Sequence, residues 1–323
     1  MPHAIRISEH GGPEVLNWEE VPLVDPGPGE VRVSQSHIGL NFIDIYQRTG
    51  LYPMDLPATL GMEAAGNIDA LGDGVTEFSI GDRVAYAAAP PGAYTDLRII
   101  PADRVVPLPD SISAQTAAAM MLQGMTAEYL IRRTYRVQSG DTVLFHAAAG
   151  GVGLIACQWL KQIGATVIGT VGSEEKAELA KVHGCDYPII YTQENFAERV
   201  REITDGKGVP VVYDSVGQST FEGSMDCLAP LGIFVSFGNS SGPIPVLNPG
   251  ILAQKGSLYF TRPTLMTYTA ERDDLLTSAS ALFEAVEKGL KIEVNQTFPL
   301  ENTADAHSAL EGRQTTGSTV LTP

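Results

Sequence analysis

The chain has 323 residues, of which 44% are hydrophobic and 18% are charged, and this composition predicts a folded protein with a sizeable core. Its formal net charge of −17 argues against broad affinity for nucleic acid or for anionic membranes. No stretch is long and apolar enough for a membrane span, the N-terminus lacks the core of a signal peptide, and three scattered cysteines indicate neither a disulfide framework nor a zinc site. We therefore expect a cytoplasmic protein.

The first part of the chain, up to about residue 110, is predicted to consist of many short strands. Breaks rich in Gly, Pro and Asp separate strand-like segments at 31–35, 64–68 and 82–87. Such a series of short strands indicates a partly closed β-barrel. Residues 113–134 then predict a pair of linking helices interrupted by Gly124.

From residue 141 to about residue 262, short apolar strands alternate with helical segments, which predicts a parallel, doubly wound sheet. The strands are expected at 142–146, 166–171, 187–191, 210–214, 231–237 and 257–261. The helices are expected at 152–163, 174–183, 194–204 and 218–228. Gly184 is placed to end the second of these helices.

The tail predicts a helix near 271–288 that ends at Gly289, a strand near 291–298, a short helix at 302–311 and a last strand at 318–321. We expect this tail to return to the first domain and to leave a cleft between the two domains. The predicted organisation is a catalytic domain at 1–123, an inserted nucleotide-binding domain at 124–262, and a return to the catalytic domain at 263–323.

The segment from Asp141 to Leu154 has the pattern of a dinucleotide-binding βαβ unit, because an apolar run leads through Gly150 and Gly153 into a periodic apolar segment. Such glycines let a pyrophosphate approach the backbone, and the helix N-terminus offers N–H groups to the phosphates. Ala148 stands where the first glycine of the motif is usual. Taken alone, the variant motif also fits a strand–helix turn without a ligand.

The end of the second strand of this unit selects the dinucleotide. An NAD site usually places an acidic residue there, about 20 residues beyond the glycines. Here no acid follows Val171 at the strand tip, and Ser173 and Lys176 are placed to meet a 2′-phosphate. Lys176 alone also fits an exposed helix lysine, but together with the missing acid it predicts NADPH.

A second candidate loop, Ser236–Gly242, leaves the carboxyl end of a predicted strand, the edge at which doubly wound sheets bind ligands. Gly238 would permit a close approach of the backbone, and Asn239 and Ser240 offer donors and acceptors. The same residues also fit an ordinary polar turn.

Several separated motifs carry a family resemblance that runs from Gly11 to Thr319. They are Asn41-Phe42-Ile43-Asp44-Ile45-Tyr46, Gly50-Leu51-Tyr52-Pro53, Gly61-Met62-Glu63-Ala64-Ala65-Gly66, His146-Ala147-Ala148-Ala149-Gly150-Gly151-Val152-Gly153, Val212-Tyr213-Asp214-Ser215-Val216-Gly217 and Ser236-Phe237-Gly238-Asn239. In this order they closely resemble the NADPH-dependent quinone oxidoreductases of the zinc-free medium-chain dehydrogenase/reductase superfamily. The bacterial members near zeta-crystallin are the most similar.

The resemblance implies an α/β protein with a GroES-like barrel domain, an inserted Rossmann domain and a homodimeric assembly. It implies that a 2′-phosphate on the adenosine meets Ser173, Lys176, Tyr191 and Arg313. With Gly150 of the glycine-rich turn, the remaining implied cofactor contacts are Asn41, Phe42, Tyr46, Tyr129, Gly151, Val152, Gly172, Val216, Gly238, Asn239, Ser240 and Pro263. One departure is Gln123, where relatives often have a lysine.

Zinc alcohol dehydrogenases of the same superfamily place a Cys and a His at two positions that are Asn41 and Met62 in this chain. Neither residue completes a zinc ligand set, so no metal is expected. The resemblance then implies transfer of reducing equivalents from NADPH to a quinone in the interdomain cleft. Asn41, Tyr46, Tyr52 and Arg262 are the candidates for orienting the quinone, although Tyr46 and Tyr52 also fit buried barrel residues.

Two alternatives remain open at this point. The same scaffold suits an NADPH-dependent enone or 2-alkenal double-bond reductase. A second alternative is an NADPH-binding protein with a non-catalytic role such as RNA binding, which the acidic composition disfavours.

Overall fold

The computed structural model describes residues 1–245 and 247–323, and the chain divides into two units. Unit 1 consists of Met1–Met125, Tyr268–Lys288 and Ile292–Pro323. Unit 2 consists of Thr126–Thr267 and Gly289–Lys291. Because both ends of the chain belong to unit 1, unit 2 is inserted into its sequence.

Unit 1 contains two β-sheets, whose strands are numbered here in chain order. The three-stranded sheet has the spatial order β2 (Asn17–Glu20), β1 (His3–Ile7) and β4 (Ala58–Thr59). The seven-stranded sheet has the order β15 (Val294–Pro299), β16 (Ser318–Thr322), β3 (Glu30–Leu40), β5 (Glu63–Leu71), β6 (Arg83–Ala87) and β8 (Val106–Pro107), with β7 (Leu97–Pro101) paired to β3. The last strand, β16, pairs antiparallel with β3, so the tail joins the sheet that the N-terminal part begins.

The core of unit 1 follows from the alternation along these strands. In β3, Val31 and Val33 are buried and point to one face, as the two-residue period of a strand requires. They join Ile68 of β5, Val84 of β6 and Leu321 of β16 in one apolar cluster. This cluster fixes the register of the sheet, because a one-residue slip would expose the apolar set.

Unit 1 also contains helices. They are α1 (Phe42–Arg48), α2 (Ala114–Ala118), α10 (Arg272–Glu287) and α11 (Thr303–Glu311), and α3 (Met121–Tyr129) continues from unit 1 into unit 2. The prediction of strands alone before residue 110 was wrong at α1. The signal for α1 lies in Asn41 and Asp44, because the Asp44 carboxylate accepts the Asn41 N–H at 2.8 Å, as in a capping box.

The linking helices are present, but the predicted interruption at Gly124 was wrong. The break lies at Ala119–Met120, and α3 continues through Gly124. The glycine serves packing, since a Cβ at Gly124 would lie 2.5 Å from Leu282 Cδ1 on α10. A π-helical segment, Leu130–Thr134, follows α3.

Unit 2 is built on a parallel sheet of six strands, as predicted. Their spatial order is β11 (Tyr187–Ile190), β10 (Thr166–Val171), β9 (Thr142–Phe145), β12 (Val209–Asp214), β13 (Leu228–Ser236) and β14 (Tyr259–Thr261). The connecting helices are α4 (Gly151–Ile163), α5 (Glu174–Val182), α6 (Phe196–Ile203), α7 (Phe221–Cys227), α8 (Gly250–Gln254) and α9 (Leu265–Tyr268), the last of which ends in unit 1. The strand order reverses between β9 and β12, which is where doubly wound sheets bind ligands.

Two glycines end helices of this chain as the sequence predicts. Gly184 after α5 has φ +95° and Gly289 after α10 has φ +102°, a left-handed conformation that favours glycine at a helix C-terminus. The short helix α8 was not predicted. Among the helices of the described residues, none combines the length and the apolar character needed to cross a membrane.

Candidate functional site

The glycine-rich turn joins β9 to α4 at the carboxyl edge of the parallel sheet. The first bond of α4 runs from Leu154 N–H to Gly150 O at 2.9 Å, so the N–H groups of Gly151, Val152 and Gly153 precede the helical ladder. Such N–H groups, at the positive end of a 13-residue helix, suit a phosphate.

Close packing within the turn explains which of its residues must be small. A Cβ at Gly153 would lie 2.3 Å from Ala147 O and 2.8 Å from Ala148 Cα, so only glycine fits. Ala148, the departure from the usual motif, is fully buried, and its Cβ would lie 2.6 Å from a Cβ at Gly169. Gly169 on β10 therefore leaves space for the methyl group of Ala148.

Of the four residues predicted to contact a 2′-phosphate, Ser173 lies in the loop after β10, Lys176 lies in the first turn of α5 and Tyr191 directly follows β11. Ser173 caps α5, with its hydroxyl accepting the Lys176 N–H at 3.3 Å, so Ser173 also has a structural role. The Tyr191 side chain approaches Gly172, where a Cβ would lie 2.9 Å from the tyrosine Oη. No acidic residue stands between Val171 and Ser173. Arg313, the fourth predicted member, belongs to unit 1 and follows α11.

Backbone hydrogen bonds join the loop after β12 to the loop after β13. Ser240 N–H donates to Ser215 O at 3.1 Å, and Ser241 N–H donates to Val216 O at 2.8 Å. A Cβ at Gly238 would lie 2.5 Å from Ser215 O. Gly238 is therefore required by this neighbouring loop, which is a different reason from the ligand approach that the sequence suggested.

In unit 1, the side chain of Asn41 is fixed from two sides. Its Nδ2 donates to Glu63 Oε1 at 2.6 Å, and its Oδ1 accepts from Gln123 Nε2 at 3.0 Å. Gln123 Oε1 in turn accepts from the hydroxyl of Ser318 on β16 at 2.8 Å. All four side chains are buried, so the amide of Asn41 has one orientation. Gln123, the departure from the family pattern, thus supplies a neutral donor where a lysine would supply a charge.

Two buried carboxyl groups beside Asn41 were not predicted. Burial raises the pKa of Glu63 to about 8, although hydrogen bonds from Asn41 and from the Leu122 N–H oppose the shift. Burial likewise raises the pKa of Asp44 to about 7, opposed by hydrogen bonds from the Asn41 N–H and the Tyr94 hydroxyl. Below about pH 7 both carboxyl groups are therefore mostly protonated.

The raised pKa of Asp44 predicts a pH-dependent stability. Between pH 4 and 7 the unfolded chain has lost the Asp44 proton while the folded chain keeps it, so the free energy of unfolding falls as pH rises, by roughly 1 kcal/mol per pH unit. Asp44→Asn should reduce this slope, because an amide does not titrate. The fold should tolerate it, because Oδ2 accepts both hydrogen bonds, which an amide oxygen can also accept, and Oδ1 has no partner among the described residues. Denaturant unfolding at several pH values measures it.

The control for this prediction is Asp73→Asn, which removes an exposed carboxyl that solvent hydrates in both states. A wild-type slope that Asp44→Asn leaves unchanged would contradict the assignment of the proton to Asp44.

The two candidate tyrosines are neighbours. The rings of Tyr46 and Tyr52 meet edge to face with centroids 5.2 Å apart, and Phe42 lies 6.0 Å from Tyr46. Tyr46 is 7% exposed and Tyr52 is partly buried. The structure thus brings together Phe42, Tyr46 and Tyr52 on and next to α1, which begins directly after Asn41.

A buried polar chain joins α1 to α11 and was missed from the sequence. Arg48 donates through Nη1 to His307 Nδ1 at 3.1 Å and through Nη2 to Glu311 Oε1 at 2.8 Å. His307 Nε2 donates to the Tyr94 hydroxyl at 3.1 Å, which donates to Asp44 at 2.9 Å. Burial and the nearby Arg48 lower the pKa of His307 to about 3, so the imidazole is neutral. This chain fixes the helix that leads to Arg313.

The remaining predicted residues lie in unit 2. Tyr129 is buried at the end of α3, whereas Arg262 is exposed and Pro263 is partly exposed directly after β14. Within residues 1–245 and 247–323, His, Cys, Asp and Glu side chains form no group of three that could hold a metal ion.

Comparison with known proteins agrees with both parts of this architecture. Residues 27–110 match the alcohol dehydrogenase GroES-like domain, and residues 151–276 match the zinc-binding dehydrogenase family. The chain is 54% identical to a quinone oxidoreductase of Pseudomonas aeruginosa over the full length of both chains. A 2-haloacrylate reductase of a Burkholderia species is 46% identical, with 98% of each chain covered.

A solved structure of Escherichia coli quinone oxidoreductase complexed with NADPH superimposes with a TM-score of 0.98 at 49% identity, covering 99% of this chain and all of the other. The chain belongs to the quinone oxidoreductase family of the medium-chain dehydrogenase/reductase superfamily. The predicted fold class, a GroES-like domain with an inserted Rossmann domain, is confirmed.

Proposed function

We propose that this protein is an NADPH-dependent quinone oxidoreductase that works without a metal. The observation that carries the proposal lies at the carboxyl edge of the parallel sheet. There a glycine-rich turn leads into the N-terminus of α4, and no acid stands at the tip of β10, which is followed by Ser173 and, in the first turn of α5, by Lys176. Family membership supports the same activity, since relatives of about 50% identity bear the name quinone oxidoreductase.

The residues present fit NADPH. The N–H groups of Gly151, Val152 and Gly153 precede the first hydrogen bond of α4 and suit a phosphate, and the lack of a side chain at Gly153 allows the close packing of this turn. We propose that Lys176 and Ser173 recognise the 2′-phosphate together with Tyr191 and Arg313. The other proposed cofactor contacts are Asn41, Phe42, Tyr46, Tyr129, Gly150, Gly151, Val152, Gly172, Val216, Gly238, Asn239, Ser240 and Pro263.

For the reduction of a quinone by NADPH, the main task of the protein is to position the two molecules. When bound, NADPH supplies the reducing equivalents, and a quinone accepts them readily because reduction makes its ring aromatic. Asn41 is held by Glu63 and Gln123, and we propose that its second amide hydrogen orients the ligand or stabilises the developing oxyanion. Tyr46, Tyr52 and Arg262 are the further candidates for that role. Asn41 and Met62 stand where zinc relatives have ligands, which supports a metal-free reaction.

Removing one hydroxyl at a time tests the tyrosines. If a tyrosine hydroxyl orients the quinone, Tyr46→Phe or Tyr52→Phe should slow single-turnover NADPH oxidation by about 10-fold, the effect of one lost hydrogen bond. Either variant keeps the ring and therefore the edge-to-face contact. Tyr187→Phe, at an exposed tyrosine on β11, is the control. Unchanged rates in both variants would remove the two hydroxyls from the mechanism.

A substrate panel tests the function itself. We expect steady-state NADPH oxidation with 1,4-benzoquinone and naphthoquinones to exceed that with simple acyclic enones. The 2-haloacrylate reductase among the relatives favours the alternative of a double-bond reductase. Rapid turnover of enones without quinone activity would establish that alternative.

A non-catalytic NADPH-binding protein is the remaining alternative. The net charge of −17 argues against an RNA partner, and a nitrocellulose filter assay at physiological salt tests for one.

We also propose a cytoplasmic homodimer. β14 is an edge strand with Tyr259 62% exposed, which leaves backbone groups available to a second copy, and light scattering tests this assembly. The free, buried cysteines agree with a reducing compartment.

A further inference from the structure

Unit 2 contains a buried chain of four polar side chains beneath the carboxyl edge of its sheet. Thr170 lies on β10, His146 directly follows β9, Ser224 lies on α7 and Asp214 ends β12. Each is at most 2% exposed. Buried polar groups of this kind are costly unless every donor meets an acceptor.

The chemistry of the groups fixes the direction of each hydrogen bond. The Ser224 hydroxyl donates to Asp214 Oδ2 at 2.9 Å, so its oxygen accepts from His146 Nε2 at 2.8 Å. His146 Nδ1 then has no hydrogen, since burial lowers the pKa of this imidazole, and it accepts from the Thr170 hydroxyl at 2.9 Å. The result is one directed chain from Thr170 to Asp214.

This order of residues excludes a hydrolytic triad. In such a triad the histidine lies between serine and aspartate and takes the proton of the serine. Here Ser224 lies between His146 and Asp214 and gives its hydrogen to the carboxylate. The serine oxygen is also fully buried, so no substrate can reach it.

Both ends of the chain hold backbone at the proposed cofactor site. Asp214 Oδ1 accepts the N–H groups of Val216 at 2.7 Å and Gly217 at 2.9 Å, which closes the turn after β12. At the other end, the Thr170 hydroxyl accepts the Ala147 N–H at 3.4 Å. The backbone O of Thr170, which a side-chain substitution leaves in place, accepts the Ala148 N–H at 3.0 Å. Ala147 has φ +55°, a conformation that an alanine adopts only when its surroundings impose it.

We propose that Thr170, His146, Ser224 and Asp214 are positioning residues for the dinucleotide, because they link the glycine-rich turn to the Val216 turn across the point where the strand order reverses. The inference rests on the proposed function only for the identity of the cofactor as NADPH. None of the four is proposed to touch the cofactor. Their effect is to hold the N–H groups of both turns in a binding arrangement before NADPH arrives.

Ser224→Ala tests the proposal, because it removes the central link and leaves His146 Nε2 and Asp214 Oδ2 each without its partner. We expect the Kd for NADPH, measured by fluorescence titration of the ligand-free protein without quinone, to rise about 10-fold. Amide hydrogen exchange should accelerate at 147–153 and 216–217 more than elsewhere in unit 2. Thr170→Val breaks the chain at its other end with little change in volume and should have the same two effects.

The control is Thr303→Val in unit 1, which removes an equally buried hydroxyl that donates to Leu300 O at 2.5 Å. It should leave the Kd for NADPH unchanged. The proposal is overturned if Ser224→Ala and Thr170→Val bind NADPH within about 2-fold of the wild type, or no worse than the control. A wild-type protein that binds no NADPH would refute the cofactor assignment as well, so the two failures are distinguishable.

Discussion

Gly153→Ala is expected to raise the Kd for NADPH by about 100-fold or more and to destabilise the fold by roughly 1–3 kcal/mol. The added Cβ would lie 2.3 Å from Ala147 O and 2.8 Å from two atoms of Ala148, and these are backbone or Cα atoms that cannot rotate away. Relief requires α4 to move from the turn, and this displaces the N–H groups that precede its helical ladder. Fluorescence titration with NADPH and denaturant unfolding measure the two effects.

Gly150→Ala is the matched control for this prediction. It adds the same methyl group in the same turn, but its Cβ would meet only Ala147 O at 3.2 Å, and φ is −81°. Because Gly150 is itself a proposed cofactor contact, we expect a rise in the Kd for NADPH, but one clearly smaller than that of Gly153→Ala. Equal losses in the two variants would show that any methyl in the turn blocks the cofactor, and that packing at Gly153 is not the cause.

Lys176→Ala is expected to raise the Kd for NADPH by about 10- to 100-fold and to leave the Kd for NADH nearly unchanged. A charge-assisted bond to a phosphate contributes about 1.5–3 kcal/mol, and only NADPH has the 2′-phosphate. The substitution keeps the Ser173 cap, because that bond uses the Lys176 backbone N–H. Parallel titrations with NADPH and NADH measure the preference.

Lys181→Ala on the same helix is the control, since Lys181 is exposed and pairs with Glu178 at 2.6 Å in the last turn of α5. It should change neither Kd. If Lys176→Ala weakened both dinucleotides equally, Lys176 would act on the pyrophosphate or on the fold, and the 2′-phosphate assignment would be wrong.

The parallel sheet could be predicted because its signals are local. Each strand of unit 2 is a short apolar run, and the glycines at 153, 184 and 289 mark a tight turn and two helix ends. The lack of an acid at the tip of β10, ahead of Glu174 and Glu175 in α5, is equally local. These features predict a dinucleotide site at the carboxyl edge of the sheet from sequence alone.

The polar networks could not be predicted in the same way, because their partners are distant in sequence. His146 meets Ser224 across 78 positions, and Arg48 meets His307 across 259. Nothing in the local pattern pairs these residues. The raised pKa of Glu63 likewise follows from burial, which the strand-like segment around residues 64–68 does not reveal.

One local prediction was wrong because glycine has more than one structural use. Gly124 suggested a break but lies within α3, where it makes room for Leu282. Gly238, predicted for its close approach to a ligand, is also required by the neighbouring Ser215 backbone, and its contact with the cofactor stays a prediction. The helix α1 could have been found from Asn41 and Asp44, whose spacing is that of a helix N-terminus.

The most direct test of the proposed function is the oxidation of NADPH and of NADH by 1,4-benzoquinone, catalysed by the purified protein after treatment with a metal chelator. We predict formation of hydroquinone with a kcat/KM for NADPH at least about 10-fold above that for NADH, and no loss of activity to the chelator. Failure to reduce the quinone, a preference for NADH, or activity that returns only with added zinc would contradict the account.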